Sequence, residues 1–319
     1  MKFYKCCNKL NSNLEKIMPI LTPTALVCGF LFPDFLRIFS PYITVIFALM
    51  TLPGALKLKI SDLGKVLRHP LPLIIFIGIN HLLVPLFTYS IAHIVFLGNL
   101  TLITGFVILY ATPTAVSSTM WAEIYDADMA LTLSIIIIDV ILTPFLTPTT
   151  ISILSGTKVH LDIKGMFISL MIMIVIPSIL GIILNEASKG KIPKVISPIL
   201  SPISKVLIFF IVGSNTAVAS SHINLKSPKT YEVAILCFVL AVSMYFIGML
   251  IAKITGLKEG KRASIILGCG MRNISIGATI AIHFFPPAVA LPCLVGPMFQ
   301  QTLAATVGKF ILKKKDKTN

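Results

Sequence analysis

Apolar runs about as long as a bilayer is thick alternate with short polar connections from Met18 to the end of the chain. A helix rising about 1.5 Å per residue needs roughly 20 apolar residues to cross the hydrocarbon layer. On that scale the pattern predicts ten transmembrane helices. The first five run from Met18 to Phe39, Tyr42 to Leu56, Leu71 to Phe96, Leu100 to Tyr125 and Met129 to Leu154. The others run from Gly165 to Leu184, Pro198 to Ser220, Tyr231 to Thr255, Lys261 to Phe285 and Pro287 to Leu312. The second is the shortest, and Pro53-Gly54 is expected to bend or end it.

Ten spans divide into five and five. Five is odd, so a repeat relating the halves has to be inverted in the membrane. Ala130-Leu131 and Ala290-Leu291 lie at the start of spans 5 and 10 at an offset of 160 residues (291 − 131). Thr112-Pro113 and Arg272-Asn273 stand at the same offset (272 − 112). The fold class expected is therefore an all-α polytopic membrane protein of two inverted five-helix repeats, with residues 1–319 as one membrane domain.

Composition agrees. The 319 residues are 56% hydrophobic and 12% charged, with a mean hydropathy of +0.94. A soluble surface would need about twice that charge. Lys2, Lys5 and Lys9 precede the first apolar run, but Glu15, Lys16 and the lack of a small-residue cleavage site argue against a removable signal peptide. The net charge of +15 resides in short loops and tails, which points away from nucleic acid and towards membrane topology. With both termini cytoplasmic, twenty basic residues lie inside. Five lie outside (Arg37, Lys158, Lys164, Lys226, Lys229), and Lys205 and Arg272 fall within spans. The location expected is a multi-pass cell-membrane protein. Six cysteines show no paired spacing and read as small buried hydrophobes; acylation of Cys6-Cys7 is the lesser alternative.

Two polar interruptions carry the chemistry. Arg272 sits in Gly268-Cys269-Gly270-Met271-Arg272-Asn273-Ile274-Ser275, where a guanidinium costs several kcal/mol unless something pairs with it. Span 4 holds Thr112-Pro113-Thr114-Ala115-Val116-Ser117-Ser118-Thr119. Proline removes a backbone donor and frees carbonyls for a cation, while the half-helix after each break offers N–H groups to an anion. The plainer reading makes Pro113 a kink and the hydroxyls partners of backbone carbonyls. The transport reading makes Thr112, Thr114, Ser117, Asn273 and Ser275 the walls of a site for a small organic anion, with breaks near Thr112–Ala115 and Gly268–Asn273. Arg272 is expected to contact Asp139, alone in an apolar run, or the polar groups of the span 4 break. Either the pair only fixes the crossing, or Arg272 replaces a bound cation and Asp139 titrates during transport.

The run from Pro113 to Pro148 resembles the bile acid:sodium symporter family. It contains Asp-Ala-Asp-Met-Ala-Leu-Thr and Leu-Thr-Pro-Phe-Leu-Thr-Pro. Gly270-Met271-Arg272-Asn273, His283-Phe284 and Pro287-Ala288-Val289-Ala290-Leu291-Pro292 are similar too, as are Asp62-Leu63 and His69-Pro70. The resemblance implies a core of spans 3–5 and 8–10, a panel of spans 1, 2, 6 and 7, and broken helices 4 and 9 that cross. It implies organic anions moving with sodium, the one cofactor expected. Ser118, Thr119 and Thr132 match one sodium site, and Asn80 matches a ligand of a second. The chain departs from the family where Gly268 replaces an acid, Arg272 a Gln and Ile136 a hydroxyl. Weak sodium dependence, with protons or nothing in its place, is therefore expected.

Among the remaining groups, His81, His93 and His283 lack metal-ligand spacing, and His81 reads as a hydrogen-bonded packing residue. Lys205 reads as snorkelling to the interface. Glu123, Asp126 and Asp128 read as a solvated loop. An intramembrane enzyme would need a His-Glu-x-x-His pair or a second mid-span Asp, and the chain has neither. A channel or sensor could also use broken helices, but inverted halves favour alternating access. The partners expected are an organic anion and the bilayer.

Overall fold

The computed structural model describes residues 2–155, 162–224 and 226–312. Lys158, Lys313, Lys314, Lys315 and Lys317 of the charge count lie outside the described residues, as do the side chains of Cys6 and Asp62. Within them the chain is helical, with no strand beyond one isolated bridge. In order the helices are α1 (Lys2–Leu31), α2 (Pro33–Arg37), α3 (Ile43–Ala55), α4 (Ile60–Leu67), α5 (Leu71–Gly78), α6 (Val84–Val95), α7 (Leu100–Ala111), α8 (Ser118–Ile124) and α9 (Met129–Ser155). Then come α10 (Ile163–Leu170), α11 (Ile176–Ala187), α12 (Lys191–Ala219), α13 (Pro228–Ile254), α14 (Glu259–Gly270), α15 (Ile274–Phe284), α16 (Leu291–Val295) and α17 (Pro297–Ile311).

Six helical stretches among the described residues are long and apolar enough to cross a membrane: Pro33–Ala55, Leu71–Val95, Met129–Ser155, Ile163–Ala187, Lys191–Ala219 and Pro228–Ile254. A seventh forms if Pro287–Gln300 and Thr302–Ile311, bent by 43°, count as one. The apolar parts of the remaining predicted spans are shorter: Ile20–Leu31, Leu100–Ala111 and Ile274–Phe284. The first predicted span ends at Leu31 rather than Phe39. Pro33 opens the next helix because its missing N–H costs nothing in a first turn. Pro53 is absorbed inside α3, which ends two residues later.

Two long stretches contain a π-helical turn, Ile79–Leu83 between α5 and α6 and Met171–Val175 between α10 and α11. Each ends just before a proline, Pro85 and Pro177, whose ring would clash with the preceding carbonyls. The wider turn relieves that clash. In the first case it also turns Asn80 and His81 to the interior, where both are buried.

Two packed groups emerge. α1 lies along α12, and α3 packs on both α11 and α12. Around α7 gather α6, α9, α15 and α16, with α13 on α14 beside them. The surface carries large apolar side chains such as Ile94, Ile254 and Leu97, while Asn80, Asp139, Asn215 and Arg272 are buried. That inversion suits a lipid surround.

Close approach of backbones depends on Gly105, where a Cβ would fall 2.3 Å from the Val289 carbonyl oxygen and 2.9 Å from the Pro292 ring. Gly105→Ala is expected to cost about 1–3 kcal/mol by overpacking. Gly78→Ala, with open space at its Cβ, is expected to gain about 0.5–1 kcal/mol of helix stability. Thermal unfolding of the detergent-solubilised protein reads both, and equal shifts would contradict this packing.

Candidate functional site

Helix α7 stops at Ala111 because Thr112, held extended before Pro113, cannot continue it. The chain re-enters helix at Ser118. In the second half α14 persists through Gly268, Cys269 and Gly270, so the interruption is only Met271–Asn273, shorter than the expected Gly268–Asn273. Met271 adopts an extended conformation, and α15 restarts at Ile274. The two breaks satisfy each other. Thr114 and Arg272 form an antiparallel bridge, the Ala115 N–H donates to the Met271 carbonyl at 2.9 Å, and the Asn273 N–H donates to the Pro113 carbonyl at 2.7 Å. Unpaired backbone is costly at this depth, so each break is the other's solvent.

Two buried charges flank the crossing. Of the two contacts expected for Arg272, with Asp139 or with the polar groups of the span 4 break, the second is the one that forms directly. Asp139 Oδ1 lies 2.6 Å from His81 Nε2, and its Oδ2 accepts from the Thr114 N–H at 2.7 Å and from Asn80 Nδ2 at 3.3 Å. Arg272 instead donates from Nη1 to the Thr112 carbonyl at 2.9 Å and from Nη2 to the Asn80 carbonyl at 3.2 Å. Its Nε has no partner in the structure. The carboxylate thus grips the first break by an N–H and the guanidinium grips it by a C=O. His81, read from sequence as a hydrogen-bonded packing residue, is the carboxylate's closest partner. Its neighbour Asn80 was the signal, since the turn that buries one buries both.

A cavity of about 290 Å³ opens beside the crossing. Ser117, Thr119, Arg272, Asn273 and Ser275 line it from the breaks, with Thr51 and Gly54 of α3, Lys57 just after it, Ser201, Ser204 and Lys205 of α12, and Gln300 of α17 around them. Thr112, Thr114 and Ser118 stand behind that wall, fully buried. Thr112 and Thr114 serve the crossing through their backbone groups. Lys205, expected to snorkel, lines the cavity and donates to Asn11 Oδ1. Sequence reading missed Thr51, Lys57 and Gln300, which only packing brings here. Asp128, expected in a solvated loop, caps α9 by accepting from the Leu131 N–H at 3.0 Å.

Residues 44–227 match the family described as the sodium bile acid symporter family. The uncharacterized protein YbaS of Bacillus subtilis (strain 168) is 37% identical over 291 residues, covering 91% of this chain and 95% of that protein. The chain belongs to the sodium bile acid symporter family. The uncharacterized sodium-dependent transporter YocS of the same organism is 23% identical over 90% of this chain and 88% of its own length. A probable chloroplastic sodium/metabolite cotransporter, BASS1 of Oryza sativa subsp. japonica, is 25% identical over 82% of this chain and 64% of its own length.

The residues expected to hold sodium are in two conditions. Ser118 Oγ is buried with no partner, as a cation ligand would be. Thr119 donates to the Val116 carbonyl at 2.8 Å, and Thr132 to Ser264 Oγ at 2.9 Å, which itself donates to the Asp128 carbonyl. Ser264 was not foreseen. These oxygens fit a sodium ion in part, with Ser118 supplying the open position. At Asn80 the side-chain amide Oδ1 is likewise buried with no partner, but its surroundings disfavour a cation. Arg272 caps the Asn80 carbonyl, Asn80 Nδ2 is turned to Asp139, and a fixed cation there repels another. A Cβ at Gly268 would fall 2.8 Å from the Phe76 ring, so the space of a carboxylate side chain is taken. Buried Ile136 adds no ligand.

Arg272→Met leaves two buried carbonyls without their donor. It is expected to cost about 3–5 kcal/mol, with Arg272→Lys recovering part of it. Ser117→Ala, on the cavity wall, should stay within about 0.5 kcal/mol. Melting in detergent checks the ordering; an Arg272→Met protein as stable as the parent would show that the guanidinium does not hold the crossing.

Proposed function

We propose that the protein is a secondary transporter of a small carboxylate-bearing anion, working by alternating access, with Arg272 in place of one of the family's bound cations. The observation that carries this is a buried guanidinium at the cavity wall, satisfied by two carbonyls rather than by a carboxylate, with Nε unpartnered. Such a group, beside the N-terminal end of α15, favours a substrate anion over a second metal cation. Ser117, Asn273 and Ser275 then contact the substrate from the wall, and Thr112, Thr114 and Asp139 hold the wall in shape.

The architecture proposed is ten crossings in two inverted halves in the cell membrane, both termini cytoplasmic. α1, α3, α11 and α12 belong to the panel and the helices around α7 to the core. Two observations support the inversion. Spans 4 and 9 are both interrupted by extended residues, and Pro113 and Asn273, one residue on from the Thr112–Arg272 pair 160 positions apart, are hydrogen bonded to each other. A two-fold axis lying in the membrane plane brings equivalent residues together in that way. The alternative is an ordinary sodium symporter, favoured by the open Ser118 hydroxyl and by relatives named for sodium dependence.

Uptake of radiolabelled pyruvate, pantoate and taurocholate into proteoliposomes of the full-length protein tests this, in sodium or choline chloride and with or without a proton gradient. Saturable uptake of one of them, little changed by sodium, is expected. Sodium stimulation beyond about tenfold would mark the alternative. Because Phe76 fills the space beside residue 268, restoring a family-like cation site is expected to need Phe76→Ala together with Gly268→Glu and Arg272→Gln.

A further inference from the structure

We infer that Asn215 of α12 and Thr279 of α15 form a latch that seals the end of the panel–core interface farther from Lys57 and Lys205, and that opening the site on that side requires this contact to break. Asn215 Nδ2 donates to Thr279 Oγ1 at 3.1 Å, and both residues are buried. Thr279 in turn donates to the Ser275 carbonyl at 3.0 Å, tying the contact to the cavity wall one turn away.

The two ends of α12 differ. Its residues Ser201, Ser204, Lys205 and Ile208 line the cavity, and Lys57 at the same end is exposed. From Ile211 to Ala217 every residue is buried, including three polar ones in a row, Ser214, Asn215 and Thr216. On α15 the stretch Ile276–Ala281 is buried likewise. The structure therefore has the cavity at one end of the interface and a closed seam at the other. Several other side-chain bonds among the described residues hold each group to itself. Arg37 donates to Ala217, Thr51 to Met173 and Asn185 to Leu58 on the first side, and Thr147 donates to Ala111 on the second. Asn215 reaches across.

The seam also carries a built-in cost. Asn215 Oδ1 and Ser214 Oγ are buried with no partner. Opening would hydrate both, so the polar groups that close the seam also favour its release, as a two-state element requires. An all-apolar seam of the same size would close harder.

This rests on the alternating-access reading, but its test uses no substrate. Ser275→Cys, placed in a background with Cys6, Cys7 and Cys28 changed to Ser, reports access to the cavity wall. The protein is reconstituted in liposomes and sorted by orientation. A membrane-impermeant maleimide added on the Lys57 side is expected to label it quickly, and one added on the opposite side slowly. Asn215→Ala should raise the opposite-side rate about tenfold by removing the latch. Asn215→Leu, which fills the seam without orphaned atoms, should lower it below the parent. Opposite-side labelling unchanged by Asn215→Ala, or raised by Asn215→Leu, would overturn the latch. Should Asn215→Ala not fold, the Leu variant and Thr279→Val, expected to act like Asn215→Ala, decide it. Failure of the uptake assay would instead remove the anion reading and leave this labelling result standing.

Discussion

Broken backbone in a low-dielectric interior has to find partners, and here it finds them in the other break. The reciprocal bonds between Ala115 and Met271 and between Asn273 and Pro113 replace what the missing helical turns would have supplied. The charges are arranged around that exchange. Asp139 takes the Thr114 N–H and Arg272 takes the Thr112 C=O, so opposite charges hold two sides of one proline-broken turn without touching each other. Each charge gains hydrogen bonds in place of water, which is what lets it stay buried.

The separation matters for chemistry. A direct ion pair would have spent the guanidinium on the carboxylate. With His81 and Asn80 holding Asp139, Arg272 keeps its positive charge near the cavity wall, and Lys57 and Lys205 line the same space. An arginine in the second break is thus compatible with the crossing because the π-helical turn before Pro85 delivers Asn80 to both charges at once. Gly268 belongs to the same adjustment, since Phe76 fills the place a longer residue would need.

Beyond the crossing the molecule carries large apolar side chains on its surface as well as in its core, while Asp139, Arg272 and a set of hydroxyls and amides are buried. Helices can approach closely only where a small residue permits, as at Gly105 against Val289 and Pro292.

The sequence alone determined the helical class, the membrane setting, the family and the two places where helices break. These follow from hydropathy, from proline and glycine chemistry and from motif order, all local properties. It named most of the crossing as well: Thr112, Thr114, Asp139, Arg272 and Asn273 each stood out as polar groups in apolar runs. Partner choice was decided by the tertiary structure. The sequence left Arg272 between Asp139 and the polar groups of the first break and offered no partner for His81. The fold put His81, 58 residues away, on the carboxylate and sent Arg272 to backbone carbonyls, because a π-helical turn aims side chains that no periodicity anticipates. The cavity wall formed by Thr51, Lys57, Lys205 and Gln300 was invisible for the same reason. Burial and pairing between distant segments are properties of packing, and a hydropathy pattern reports depth in the membrane but not which face meets which.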